Sequence, residues 1–266
     1  GRRARAGAAI AGGLGHAPRR RVVRLVGGGA VAQNLGKVTQ LFDGSLAAHA
    51  GRGAHLRQRG GRRAGLALLK SFLSERGRPY RAAMSAPDSG ADHCSRLSPH
   101  LALGALSMRE VLHAAAADGA ELAVLPEYFC LLGRKDTDKL SAQEPLGEGP
   151  IQQFLAASAR ELGLWIVGGT LPLALPSEEQ VATPADRVFN STLVYAPSGE
   201  RVCRYDKIHL FRFDNGRERY DESAVLRPGS EPVSFELPSR DGHLWRVGLS
   251  ICYDLRFPEL YRLYTD

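Results

Sequence analysis

The chain has 266 residues, 44% of them hydrophobic and 24% charged, with a net charge of +7 and four cysteines. That length allows one large or two ordinary domains, and no run approaches the roughly 18 apolar residues of a membrane span. The cysteines, at 94, 130, 203 and 252, form no CxxC pair, which points to free thiols rather than a zinc site or a disulfide framework.

The charge is unevenly spread: residues 1–110 carry 19 Lys and Arg against 5 Asp and Glu, and residues 111–266 carry 16 against 23. The basic part has almost no aromatic residues on which bases could stack, so nucleic-acid binding is not expected. Its Arg-rich start lacks the apolar h-region of a secretory signal, which makes the cytoplasm the default location. Residues 1–60 read as low complexity with weak order, because Gly and Arg clusters around short pieces such as "VVRLV" leave little to bury. "GGGAVAQNLGK" has neither phosphate-loop spacing and is set aside.

From residue 61 the pattern changes. Leu66, Leu69, Phe72 and Leu73 lie at helical spacing, with Gly77 and Pro79 as a stop. "HCSRLSPHLALGALSMREV" then gives a Ser-rich turn and an apolar helix. Residues 61–111 resemble the flavin-binding helical domain of photolyases and cryptochromes, whose TSRLSPYLxxGxxS motif lies near the flavin phosphates. That resemblance implies Ser95, Arg96 and Ser98 on the flavin side, with Cys94 in place of the usual Thr. One turn cannot bury a cofactor of that size, so no cofactor is expected.

Beyond 111 strands alternate with helices, as in an α/β domain. A strand is predicted over 122–125, followed by a Pro-Glu step. A helix in "GPIQQFLAASARELG" should stop at Gly163, and "VFNSTLVYAPSGERVCRYD" reads as a hairpin. A strand over 245–251 precedes a helix starting near Pro258.

Glu127, Lys207 and Cys252 each follow a predicted strand, where polar groups can converge on a pocket. Separately each has an ordinary reading: a turn residue, a surface lysine, a small buried thiol. Together they suffice for attack on a carbonyl or nitrile carbon. The thiolate adds, the carboxylate takes the proton and later activates water, and the ammonium steadies the developing charge.

The strings "LPEYF", "YDKIHLF" and "GLSICYDLRFPELYR" are similar, in order and spacing, to the Glu, Lys and Cys motifs of the nitrilase superfamily of carbon-nitrogen hydrolases. The resemblance covers about 112–266. It implies Glu127 as general base, Lys207 as transition-state stabiliser and Cys252 as nucleophile. It also implies Glu222, in "RYDESAVLRPG", as a second glutamate near the lysine, and the Tyr253 backbone N–H as an oxyanion donor. His209 is read as structural, and Cys130 and Cys203 as packing residues. "KIHLF" with "ICYDLRFPELYR" is most similar to the omega-amidase and deaminated-glutathione-amidase branch. A small amide bearing a carboxylate is therefore the expected substrate, with Arg256 facing that carboxylate or serving as a scaffold ion-pair residue. No metal is implied, and a homo-oligomer is in keeping with the family.

The implied fold is a partial four-layer α-β-β-α sandwich. It is preceded by the helical fragment at 61–111 and the basic segment at 1–60. No "VAxxQ" strand is read before residue 112, and only 14 residues follow Cys252, so the domain is expected to be incomplete at both ends and its activity reduced. The alternative from another class is a flavin- or nucleic-acid-binding fragment.

Overall fold

The computed structural model describes residues 23–24, 59–83, 92–176 and 187–265. The weak order expected over 1–60 and the discarded glycine loop therefore lie almost wholly outside the described residues. Within that span one pair is placed: Val23–Arg24 (β1) runs parallel to Leu122–Val124 (β2). Backbone pairing alone accounts for a strand the apolar pattern left unassigned, because ladder hydrogen bonds do not depend on which side chains are carried.

Helix α1, Arg62–Ser71, continues into a π turn over Phe72–Arg76. The buried stripe is Gly65, Leu69, Phe72 and Leu73; Leu66, predicted on that stripe, is 41% exposed. The reason is close approach at Gly65, where an added Cβ would stand 3.0 Å from both His100 and Leu106. Short helices Tyr80–Ala83 (α2) and Ser98–Ala102 (α3) follow. Helix α4, Met108–Ala117, is opened by a capping box in which Ser107 and Glu110 satisfy each other's backbone N–H. Leu69, Phe72, Leu97 and Leu106 share one buried cluster with Val111 and Leu112 of α4 and with Leu155 and Ala159 of α6, Pro150–Leu162. Helix α6 closes on Gly163 in the left-handed conformation, as its sequence predicts. Between α4 and α6, Asp138–Ser141 forms α5.

Among the described residues the main sheet has seven strands. β1, β2 and Trp165–Val167 (β3) are parallel. Val188–Tyr195 (β5), buried along its whole length, takes β3 and Leu171–Ala174 (β4) on one edge. Arg201–Asp206 (β6) and Leu226–Arg227 (β9) line its other edge. The β5–β6 pair is the expected hairpin, turning through Gly199 at φ 83°.

Two hairpins complete the described strands: Arg212–Asp214 (β7) with Arg219–Asp221 (β8), and Ser234–Pro238 (β10) with Leu244–Gly248 (β11). Helices cover one face of the main sheet. The β10–β11 hairpin covers the other, through a cluster of Leu122, Val194 and Tyr205 with Phe235, Leu237 and Ile251. On the far side of this hairpin the Tyr264 ring, just past helix α7 (Pro258–Arg262), occupies the place a Cβ at Gly248 would take. The layers run helix, sheet, sheet and the start of an outer helical layer, which is the predicted α/β order.

The strand predicted over 245–251 ends at Gly248 instead. The Ile251 N–H is taken by the Asp254 carboxylate at 2.9 Å, so it cannot extend the ladder, and the chain turns into a 3₁₀ helix over Cys252–Arg256. Among the described residues no helix is long and apolar enough to cross a membrane.

Candidate active site

Glu127 is held by its own loop before it meets any partner. The bend between β3 and β4 passes so close that a Cβ on Gly169, at φ +56°, would stand 2.0 Å from the Pro126 carbonyl oxygen, so glycine is required there. One residue on, Thr170 Oγ1 accepts the Tyr128 N–H at 2.8 Å. Leu125 N–H donates to the Val167 carbonyl at 2.9 Å. Tyr128 itself sits at φ 49°. The loop carrying Glu127 is thus fixed to the sheet on both sides.

Lys207 follows β6. The hairpin register sets Ser191 opposite Asp206, which places Lys207 beside Asn190, and Lys207 N–H donates to the Asn190 carbonyl at 2.9 Å. The Lys207 side chain is fully buried. Its Nζ reaches the two carboxylate oxygens of Glu222 at 3.0 and 2.8 Å and Glu127 Oε1 at 3.5 Å. Burial works against its charge, but Glu127 and Glu222 more than offset that, and the ammonium is held above its ordinary range. Glu222 opens the 3₁₀ turn Glu222–Ala224 and also accepts the Phe211 N–H at 2.7 Å. Asn190 Nδ2 donates to Glu127 Oε1 at 2.8 Å.

Cys252 begins its turn at φ 49°, a left-handed conformation that costs a non-glycine residue energy and aims the side chain. The residue is exposed, yet its thiol is partly enclosed and close enough to Glu127 and Lys207 to feel both charges. Enclosure first, then the Glu127 charge, pushes the thiol up to about 11, against the pull of Lys207. Enclosure and the neighbouring carboxylate thus favour the neutral thiol at rest.

Cys130, more deeply enclosed and donating to the Thr170 carbonyl, is pushed up to about 12. Both folded values lie above the ordinary thiol value of 9.0. Each thiol therefore contributes stability that is complete below about pH 9 and lost as pH rises through about 11 and 12. Urea midpoints should fall above pH 9, and Cys130→Val should flatten that decline. An unchanged alkaline slope in the variant would contradict the assignment.

Of the six residues predicted from sequence, the structure brings Glu127, Lys207, Glu222 and Cys252 together. Tyr253 packs its ring edge-on to Phe211 and Phe257, with centroids at 5.2 and 5.5 Å. Arg256 is exposed at the end of the turn, and among the described residues it makes no ion pair, so the scaffold reading lacks a partner. The His209 ring stacks on Phe257 with centroids 3.6 Å apart. Sequence reading missed Asn190 and Asp254. The signal for Asn190 was the polar run Asn190, Ser191 and Thr192 between apolar residues of one strand, since each needs a partner once that strand is buried. Asp254 lay inside a quoted motif without a role.

Ser95, Arg96 and Ser98 lie apart from this cluster in the chain. Ser95 is buried with its carbonyl accepting from Arg76 at 3.1 Å, Arg96 is at φ 56°, and Ser98 opens α3.

A carboxylate, an ammonium and a thiol thus converge from three separate segments. The sequence profile of the carbon-nitrogen hydrolase family matches residues 81–266, and the chain belongs to that family. A deaminated glutathione amidase of Synechocystis sp. is 32% identical over 166 residues, covering 62% of this chain and 57% of that protein. The omega-amidase NIT2 of Homo sapiens is 35% identical over 154 residues, covering 57% and 50%. Among solved structures, Saccharomyces cerevisiae Nit3, a member of branch 10 of the nitrilase superfamily, matches at 27% identity and a TM-score of 0.43, covering 57% of this chain and 53% of that one. The chain spans about half the length of the curated relatives it matches.

Proposed function

We propose that the chain carries an amidase that hydrolyses a small non-peptide amide through a cysteine thioester. The observation that carries this reading is the buried Lys207 ammonium, 3.5 Å from the Glu127 carboxylate and 2.8 Å from Glu222, with the Cys252 thiol close enough to be acted on by all three charges.

Glu127 accepts the thiol proton as sulfur adds to the amide carbon. The carbonyl oxygen takes the electron pair and is stabilised by Lys207 Nζ and by the Tyr253 N–H. Glu127 then returns the proton to nitrogen, the C–N bond breaks, and ammonia leaves a thioester. Water, deprotonated by Glu127, adds to the thioester and releases a carboxylic acid and the thiol. Glu222 keeps Lys207 in place, and Asn190 fixes one oxygen of Glu127.

The two relatives are named as amidases, which favours an amide over a nitrile. A substrate with a carboxylate at its far end would meet the exposed Arg256 guanidinium, whose fork suits a carboxylate. The flavin-side reading of Ser95, Arg96 and Ser98 draws no such support, because the helices around them bury their apolar residues in the same cluster as α4 and α6.

The test is ammonia release from short monoamides of dicarboxylic acids, with hydroxylamine added as a competing nucleophile. Hydroxamate should form at the expense of the acid and vanish in Cys252→Ala. Ammonia release that persists in that variant would overturn the thioester route.

A further inference from the structure

Lys207 and Cys252 come from different sheets, and the side chains between them must fix their separation to tenths of an ångström. Lys207 leaves β6 of the main sheet, whereas Cys252 leaves the β10–β11 hairpin packed across it. Backbone ladders hold each residue within its own sheet, and none joins the two sheets at this point among the described strands. The link is Asp254. Its side chain is fully buried. Oδ2 accepts the Tyr205 hydroxyl at 2.7 Å and the Ile251 N–H at 2.9 Å. Oδ1 accepts the His209 N–H at 2.9 Å and lies 2.7 Å from His209 Nδ1. Tyr205 and His209 stand two residues before and two after Lys207, and Ile251 immediately precedes Cys252.

We propose that Asp254 is a positioning residue: a buried carboxylate clamp that locks the Cys252 turn to the chain on both sides of Lys207, with Tyr205 and His209 as its donors. A carboxylate suits this place because it accepts four donors without carrying a hydrogen of its own. Its desolvation is offset only while those donors are present. The clamp also explains why the strained φ at Cys252 persists: the Ile251 N–H on one side and Asp254 itself on the other are pinned, leaving the turn no room to relax. The His209 ring is pinned in turn by its stack on Phe257.

The inference rests on Cys252, Lys207 and Glu127 being the reacting groups, so its test includes a measurement that needs no amide turnover. Tyr205→Phe, His209→Ala, His209→Asn and Asp254→Asn are compared in the full chain for kcat and KM of ammonia release, for melting, and for the pH profile of Cys252 alkylation by iodoacetamide. A loosened turn moves the thiol out of its enclosure and away from Glu127. Alkylation should then shift to lower pH by about one unit. Turnover should fall about tenfold or more with KM held within about twofold. The amide nitrogen of an asparagine can stand where His209 Nδ1 does, so His209→Asn should recover much of what His209→Ala loses.

A purely structural role would lower the melting temperature without separating these readouts. Should Asp254→Asn fail to fold, Tyr205→Phe and His209→Ala still decide the matter. Cooperative melting with unmoved alkylation and kcat in both, or no rescue by His209→Asn, overturns the clamp. If the unaltered chain releases no ammonia, the amidase reading fails, and the alkylation profile decides the clamp alone.

Discussion

Lys207→Met should destabilise the fold by about 3–5 kcal/mol as well as abolish turnover, because it removes the cation from between two buried carboxylates. Methionine fills most of the volume, so the loss is electrostatic rather than a cavity. Glu222 is buried, and the Glu127 side chain is 13% exposed. Among the described contacts each carboxylate has one neutral donor beyond the lysine, Phe211 N–H for Glu222 and Asn190 Nδ2 for Glu127. Two facing anions without their cation repel, and neither can be rehydrated in place.

Two further measurements separate this account from general disruption. Lowering the pH should restore part of the variant's stability, since protonating one carboxylate ends the repulsion. A triple variant, Glu127→Gln with Lys207→Met and Glu222→Gln, should recover most of the stability and none of the activity, because it removes the charges together. Urea denaturation at neutral and acid pH reads both. A single variant as stable as the unaltered chain at neutral pH would show that the two carboxylates do not depend on Lys207.

Cys252→Ala should lower ammonia release by at least about 10⁴-fold, since no other thiol shares the cluster and the remaining groups have nothing to activate. Cys130 and Cys203 cannot substitute. Cys130 donates instead to the Thr170 carbonyl, and Cys203 packs against the cluster of Leu122, Val194 and Phe235.

Stability offers a second readout at the same position. At φ 49° an alanine keeps the backbone cost, whereas a glycine does not. Cys252→Gly should therefore be more stable than Cys252→Ala by about 1 kcal/mol. Equal urea midpoints would mean that the left-handed turn stores no strain at the nucleophile. A more stable glycine variant would mean that the fold gives up stability there to aim the sulfur.

The candidate site residues were legible because each stands in a short string whose neighbours are also constrained. "LPEYF" must leave a strand at a turn that touches the β3–β4 bend, and "YDKIHLF" must supply Tyr205 and His209 around Lys207. "GLSICYDLRFPELYR" must provide both Cys252 and the Asp254 carboxylate that takes the Ile251 N–H. Helix α6 with its Gly163 stop and the β5–β6 hairpin were equally readable, since their apolar spacing and turn residues are local. Leu66 was misplaced because the helix face that turns inward was chosen by the room at Gly65, a property of His100 and Leu106 across the contact. The end of β11 was misplaced because a side chain three residues ahead of Ile251 took its N–H.

The sequence by itself determined which groups are candidates for the site and the local elements that deliver them, because both follow from residue type and from periodicity over a few turns or strands. Only the tertiary structure decided how those groups are held. Asn190 meets Glu127 across 63 positions, Tyr205 meets Asp254 across 49, and His209 meets it across 45. No periodicity reaches that far. Such partners are chosen when buried donors and acceptors from separate sheets must satisfy one another as water leaves.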